Sequence, residues 1–128
     1  MTIRRIVTAG SYLVIGCSTA VADTNRFFDC ELTQENEYWS KFPEHDYSGP
    51  CQSRCHLKLS LANLHRGADK YTSDKSGSMS GSDWTRQISI SRSDGSVRLT
   101  DVVTFPKNGT VTSVKTGMCA LKTETLKF

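Results

Sequence analysis

The 128-residue chain lacks most of the features that usually announce a function. It has three histidines, and none follows His65. It has no Gly-x-Ser-x-Gly turn, and it is too short for the α/β scaffold that carries that nucleophile. Cys51-x-x-x-Cys55 has a nearby His56, but no second ligand pair at zinc-site spacing accompanies it, so no metal is expected. Charge of one sign is scarce too: the formal net charge of +3 gives no support for nucleic-acid binding. Beyond residue 22 no stretch approaches the roughly 20 apolar residues that a membrane span needs. No internal repeat, no second domain and no cofactor motif is present.

What is there begins at the N-terminus. Arg4 and Arg5 precede an uncharged, largely apolar run over Ile6–Ile15, and Ala20-Val21-Ala22 is a small-x-small cleavage signal. Residues 1–22 read as a cleavable signal peptide of bacterial type, and residues 23–128 as a single domain, periplasmic or secreted. Val14-Ile15-Gly16-Cys17 offers an alternative, a lipobox, in which Cys17 would become a lipid anchor. Cleavage after Ala22 leaves Cys30, Cys51, Cys55 and Cys119, an even set that suggests two disulfides in an oxidising compartment. In so small a domain each would contribute about 2–4 kcal/mol. Charge is uneven along the mature chain. Residues 23–53 are acidic and residues 54–128 are basic, an asymmetry that either marks a surface for a charged partner or mixes in the fold.

The C-terminal half alternates with period two. Trp84–Ser91, Val97–Phe105 and Thr110–Val114 have strand patterns, punctuated by Ser93-Asp94-Gly95 and by Pro106-Lys107-Asn108-Gly109. Thr116-Gly117 reads as a further turn, with strands over Met118–Lys122 and Thr125–Phe128. Asn108-Gly109-Thr110 also matches a glycosylation acceptor, but the turn accounts for it. In the first half, Phe27–Leu32 predicts a strand and Glu35–Tyr47, broken by Pro43, an irregular excursion. Leu57, Leu59 and Leu61 alternate as in a strand; Leu57, Leu61 and Leu64 also fit a short helix. Gly67–Asp83, rich in Ser, Gly, Asp and Lys, reads as the longest loop. The expected fold is all-β, with at most one short helix: a single antiparallel β-barrel or small sandwich of six to eight strands, stapled by disulfides. If the first and last strands are neighbours, Cys30 pairs with Cys119 across them. Cys51–Cys55 then pins the loop before the Leu57 strand.

A small secreted ribonuclease is one reading of such a chain, with Lys41-Phe42-Pro43-Glu44-His45 as its catalytic cluster. Chemistry of that kind needs a second proton-transfer group. Guanyl-specific ribonucleases place a histidine on a late strand, where this chain has Lys115. The expectation is therefore that the chain is not an enzyme.

Phe28-Asp29-Cys30 on the first strand, the late Cys119 and Ser80-Gly81-Ser82-Asp83-Trp84 stand in an order that resembles the small periplasmic or membrane-bound inhibitors of c-type lysozyme. That resemblance implies an antiparallel β-barrel whose Ser-Gly-x-x-aromatic loop enters an enzyme cleft. It makes Ser80, Gly81, Asp83 and Trp84 the partner-binding residues, with Ser80 offering its hydroxyl to carboxylates and Trp84 bracing the loop. It departs from the family at Trp84, where tyrosine is usual, and in its second disulfide. The expected function is a periplasmic binding protein that blocks a cell-wall hydrolase or neutralises an antibacterial effector, as an immunity protein does. An envelope or secretion-system accessory lipoprotein is the alternative.

Overall fold

Alternating sequence becomes antiparallel strand throughout the computed structural model, which describes residues 25–124. Eight strands form one sheet: β1 (Arg26–Trp39), β2 (Tyr47–Pro50), β3 (His56–Ser60), β4 (His65–Arg66), β5 (Lys70–Met79), β6 (Ser82–Ser91), β7 (Ser96–Phe105) and β8 (Gly109–Thr123). Their order is β2-β1-β8-β7-β6-β5-β4, and β3 also pairs with β1. β2 and β3 share the outer edge of β1, β3 on Phe27–Glu31 and β2 on Gln34–Glu37. The helical features among the described residues are two 3-10 turns, Pro43–His45 and Leu61–Asn63. No described helix is long and apolar enough to cross a membrane.

The all-β antiparallel architecture is as expected, but hydrogen bonds do not close the sheet into a barrel. β3 ends one border of the sheet and β4 the other, and the segment Leu61–Leu64 links them covalently. The 3-10 turn carries the chain from one border to the other, and β4 is only two residues long. The sheet instead rolls over its own core like a small sandwich. Phe28 on β1 meets Tyr71 on β5 edge-to-face, with ring centroids 5.3 Å apart.

The inward face is set by register. Phe28, Cys30 and Leu32 point inward, in step with Ile88 and Ile90 on β6 and Val97 and Leu99 on β7. These residues and Leu61 make the buried core, with Leu57, Leu59, Leu64 and Tyr71 packed around them. The register of β1 on β8 then shifts between Leu32 and Gln34, leaving Thr33 as an extra residue. Such a bulge reverses which side chains face inward. Beyond it Glu35, Glu37 and Trp39 lie on the inner face, opposite Lys115, Ser113 and Val111. Gly117 makes the close approach at the bulge possible. A Cβ there would run into the Glu31 carbonyl and sit 2.7 Å from the Leu32 Cα.

Three expectations are corrected. Glu35–Trp39 continues β1 and is no excursion, because the bulge turns its charged residues toward hydrogen-bonding partners. Residues 70–79 of the expected long loop form strand β5, which pairs with β6 from Lys70↔Ser91 to Met79↔Ser82. A strand near the border of a sheet tolerates Ser, Lys and Gly where a central strand would not. Gly117 is no turn residue: β8 runs straight through it, and glycine inside a strand marks such a backbone contact. Leu57 and Leu59 alternate inward in β3, so the helix over 57–64 is reduced to the 3-10 turn Leu61–Asn63. Residues 1–22, including the signal segment and Cys17, and the expected strand Thr125–Phe128 lie outside the described residues.

Both expected disulfides form, Cys30–Cys119 across the β1–β8 ladder and Cys51–Cys55 before β3. Close to the first bridge on the same ladder the Lys122 ammonium donates to Asp29 at 2.9 Å. That hydrogen bond, with the positive charge behind it, holds the Asp29 carboxyl below its usual range.

Loop-closure entropy orders the two bridges. Cys30 and Cys119 are 89 residues apart and Cys51 and Cys55 are 4 apart, so the chain-entropy account assigns about 4–5 kcal/mol to the first and about 2 to the second. Urea unfolding of the two double-serine variants will show the larger loss for Cys30/Cys119. Gly117→Ala is expected to cost at least about 3 kcal/mol, because a β-carbon must displace backbone. A carboxyl whose folded pKa is depressed contributes stability that is full above the unfolded pKa and is lost as pH falls through the folded one. NMR titration will place Asp29 below ordinary carboxylates, and Lys122→Ala will bring it back up.

Candidate functional site: the open end of the rolled sheet

The lower part of the inward face is apolar and closed. The upper part, beyond the bulge, is not. Following the ladders from β1 to β5, one row reads Glu37, Ser113, Asp101, Arg86, Lys75, and the row above it Trp39, Val111, Val103, Trp84, Gly77. A charged belt is thus topped by an aromatic rim.

Three chain connections meet at this end. Ser40 donates its backbone N–H to the Thr110 carbonyl at 2.9 Å, and the Lys41 ammonium reaches the Lys107 carbonyl at 3.1 Å. The ring of Pro106 is the nearest neighbour to a Cβ built on Gly81, at 3.7 Å. The connection 40–46, the β5–β6 turn and the β7–β8 turn therefore sit side by side.

The expected partner-binding residues occupy the β5–β6 hairpin. Ser80 and Gly81 form its two-residue loop, with φ of 54° and 82°. Positive φ at both positions is the type I′ arrangement, whose twist matches that of the flanking strands. The end of the expected long loop is thus a tight two-residue turn, and Met79 beside it is 71% exposed. Asp83 lies on the outer face, where it accepts a hydrogen bond from the Ser78 hydroxyl across the hairpin at 2.6 Å. Trp84 lies on the inner face with its indole over Gly77, where a Cβ would come within 2.8 Å of the ring. The structure therefore brings Ser80 and Gly81 together at the tip and sends Asp83 and Trp84 to opposite faces below it.

Trp39 is fixed at the far side of the rim. Its backbone N–H donates to Asp46 at 2.7 Å and its indole N–H to Glu37 at 2.9 Å. His45, from the cluster tested above for catalysis, has its ring 5.2 Å from that of Trp39 and 6.0 Å from that of Phe42.

Sequence reasoning missed a second feature, a cleft of about 530 Å³ under the disulfide loop Cys51–Cys55. It is lined by Arg54, Arg86, Asp101 and Lys115, with Leu57 and Leu99 as apolar surface and His56 and Ser53 completing it. Glu35 and Lys115 are buried, at 6% and 8% exposure, and buried charges need partners. Glu35 accepts the Gln52 backbone N–H at 3.0 Å, and Lys115 donates to the Ser53 carbonyl at 2.6 Å. Two charged groups from neighbouring strands thus hold the disulfide loop onto the inner face. Arg86 donates to Asp101 through Nε at 2.7 Å and Nη2 at 2.9 Å. This bidentate bond, against the opposing effect of burial, raises the already high pKa of the guanidinium. The signal that could have found the cleft is the inward register of Arg86, Asp101 and Lys115, which breaks the apolar alternation of their strands.

Among the described residues no group of three or more His, Cys, Asp and Glu side chains could hold a metal ion.

Replacing Glu35 by leucine leaves the Gln52 N–H without its acceptor, and the expected loss is about 1–3 kcal/mol. Glu35→Gln keeps an acceptor and will lose less. Chemical unfolding ranks the two, and amide exchange across residues 52–54 reports whether the loop has come free. Trp84→Ala removes the ring over Gly77, and faster exchange at residues 77–82 will show a loosened hairpin tip. No family model matches the chain, and no curated protein or solved structure matches it either.

Proposed function

We propose that the chain is an exported binding protein that blocks a partner enzyme, a lysozyme-type cell-wall hydrolase or an effector of that class, and is not itself an enzyme. The observation that carries this reading is the fixed Ser80-Gly81 tip, with exposed Met79 beside it, at the end of the molecule where three connections converge. An inhibitor gains affinity when its protruding element is ordered before binding, because less freedom is then lost in the complex. Pairing along the whole of β5 and β6, with Trp84 over Gly77, supplies that order. Exposed methionine is a common interface side chain. Tyr38, 53% exposed and opposite Thr112 on the outer face, adds a second large side chain toward the same end.

Two disulfides suit an oxidising, extracytoplasmic compartment. The acidic stretch 29–46 takes in most of β1 and the connection 40–46, so its charges fall partly beside the proposed contact surface. A cationic hydrolase would be drawn to it, and its association rate would fall as salt rises.

The test is a turbidity assay on bacterial cell walls with a c-type lysozyme, paired with co-elution from a sizing column. The expected result is slowed lysis and a stable complex. Met79→Asp and Ser80→Asn, both at exposed positions and the latter compatible with positive φ, will weaken inhibition about tenfold or more while leaving unfolding midpoints in place. Unimpeded lysis with no complex across a panel of peptidoglycan hydrolases contradicts the reading.

A further inference from the structure

The cleft beneath the disulfide loop is a site of its own, apart from the hairpin tip. Its lining holds three permanent or near-permanent cations, Arg54, Arg86 and Lys115, and one carboxylate, Asp101. Lys115 is more than nine-tenths buried, and its ammonium donates to a neutral carbonyl, that of Ser53. Its cross-strand neighbour Glu35 turns one oxygen to the Gln52 N–H, and among the described residues no ion pair joins the two. A buried ammonium with donors to spare favours an anion in the space that it faces. Arg86 spends Nε and Nη2 on Asp101, which leaves its Nη1 donors over.

Arg54 points the same way. It is held at φ 53°, in a region that residues with a β-carbon rarely adopt. The Cys51–Cys55 bridge and the bonds from Glu35 and Lys115 hold the loop that carries it. Arg54 lines the cleft and, among the described residues, forms no ion pair with a carboxylate. The lining charge, three cations against Asp101 with Glu35 close behind, suits one negative charge better than two. Leu57 and Leu99 add apolar surface beside the cations. A volume of about 530 Å³ is that of a small-ligand site.

We propose that this cleft binds a small organic monoanion: the free terminal carboxylate of a short peptide ending in a compact apolar residue. Arg54 and Lys115 hold the carboxylate, Asp101 faces the peptide N–H groups, and the terminal side chain lies against Leu57 and Leu99.

The oxidised, isotope-labelled protein is titrated with N-acetyl-Ala-Ala, with its C-terminal amide and with inorganic phosphate, and amide shifts are followed by NMR. The expected result is saturable shifts at residues 53–57, 99–101 and 115 with the acid, and none with the amide. Arg54→Gly keeps the backbone conformation and removes the guanidinium, and it should weaken the acid about tenfold or more, the scale of one charge-assisted hydrogen bond. Lys115→Met should weaken it likewise; if that variant does not fold, Arg54→Gly decides alone. Equal shifts with acid and amide, no shifts with either, or an unchanged affinity in Arg54→Gly overturns the proposal. Phosphate binding in the cleft where the acid does not bind overturns the carboxylate assignment. No enzyme takes part in this titration, so its outcome is separate from that of the lysis assay.

Discussion

The arrangement depends on one extra residue in the first strand. Thr33 has no partner on β8, and its carbonyl accepts the backbone N–H of Cys51 on the other side at 3.0 Å. Before it, even-numbered residues of β1 face inward; after it, odd-numbered ones do. Without that shift Gln34, Asn36 and Tyr38 would face the interior, and Glu35 could not reach the disulfide loop. The bulge therefore divides the molecule. Below it the inner face is Phe, Cys, Leu, Ile and Val; above it the same face carries Glu37, Asp101, Arg86 and Lys75 under two tryptophans. Gly117 on β8 and the Cys30–Cys119 bridge hold the two strands together immediately below the point of change.

On the proposed function, this division separates the work of staying folded from the work of meeting other molecules. Ile90 and Cys30 have no solvent exposure and sit in the apolar core at the other end. The open end carries groups that a purely stabilising design would omit: an exposed methionine at a hairpin tip, an arginine at positive φ, and a lysine buried beside a cleft. Charged and strained groups of this kind gather at functional sites because the surrounding structure has to hold them in place. The fixed hairpin and the cleft are two distinct features of that end, one protruding and one recessed.

Much of the fold was legible in the sequence. The alternation of Trp84–Ser91 and Val97–Phe105, the turns between them and the pairing of Cys30 with Cys119 follow from period two and chain order. What escaped has a common cause. Composition says Ser, Gly, Asp and Lys make loops, yet over 70–79 they make a strand, because neighbouring β6 supplies its ladder and Trp84 covers Gly77. A bulge leaves no local signature, so the inward turn of Glu35 and Glu37 could not be read, and the acidic stretch looked irregular. The choice between barrel and sandwich stayed open for a similar reason: periodicity predicts strands but not whether the two borders meet. At the candidate site, the hairpin residues were singled out by their order along the chain. Arg54, Arg86 and Lys115 were not, because long-range register alone brings them together.

The central claim is that the open end of the rolled sheet is a ready-made contact surface. Hydrogen–deuterium exchange of the free protein and of a mixture with a lysozyme-type hydrolase tests it most directly. The account predicts new protection at residues 78–84, 106–110 and 40–46, with little change at the opposite turn, Arg92–Gly95. Protection confined to that opposite turn, or to none of these segments, would contradict it.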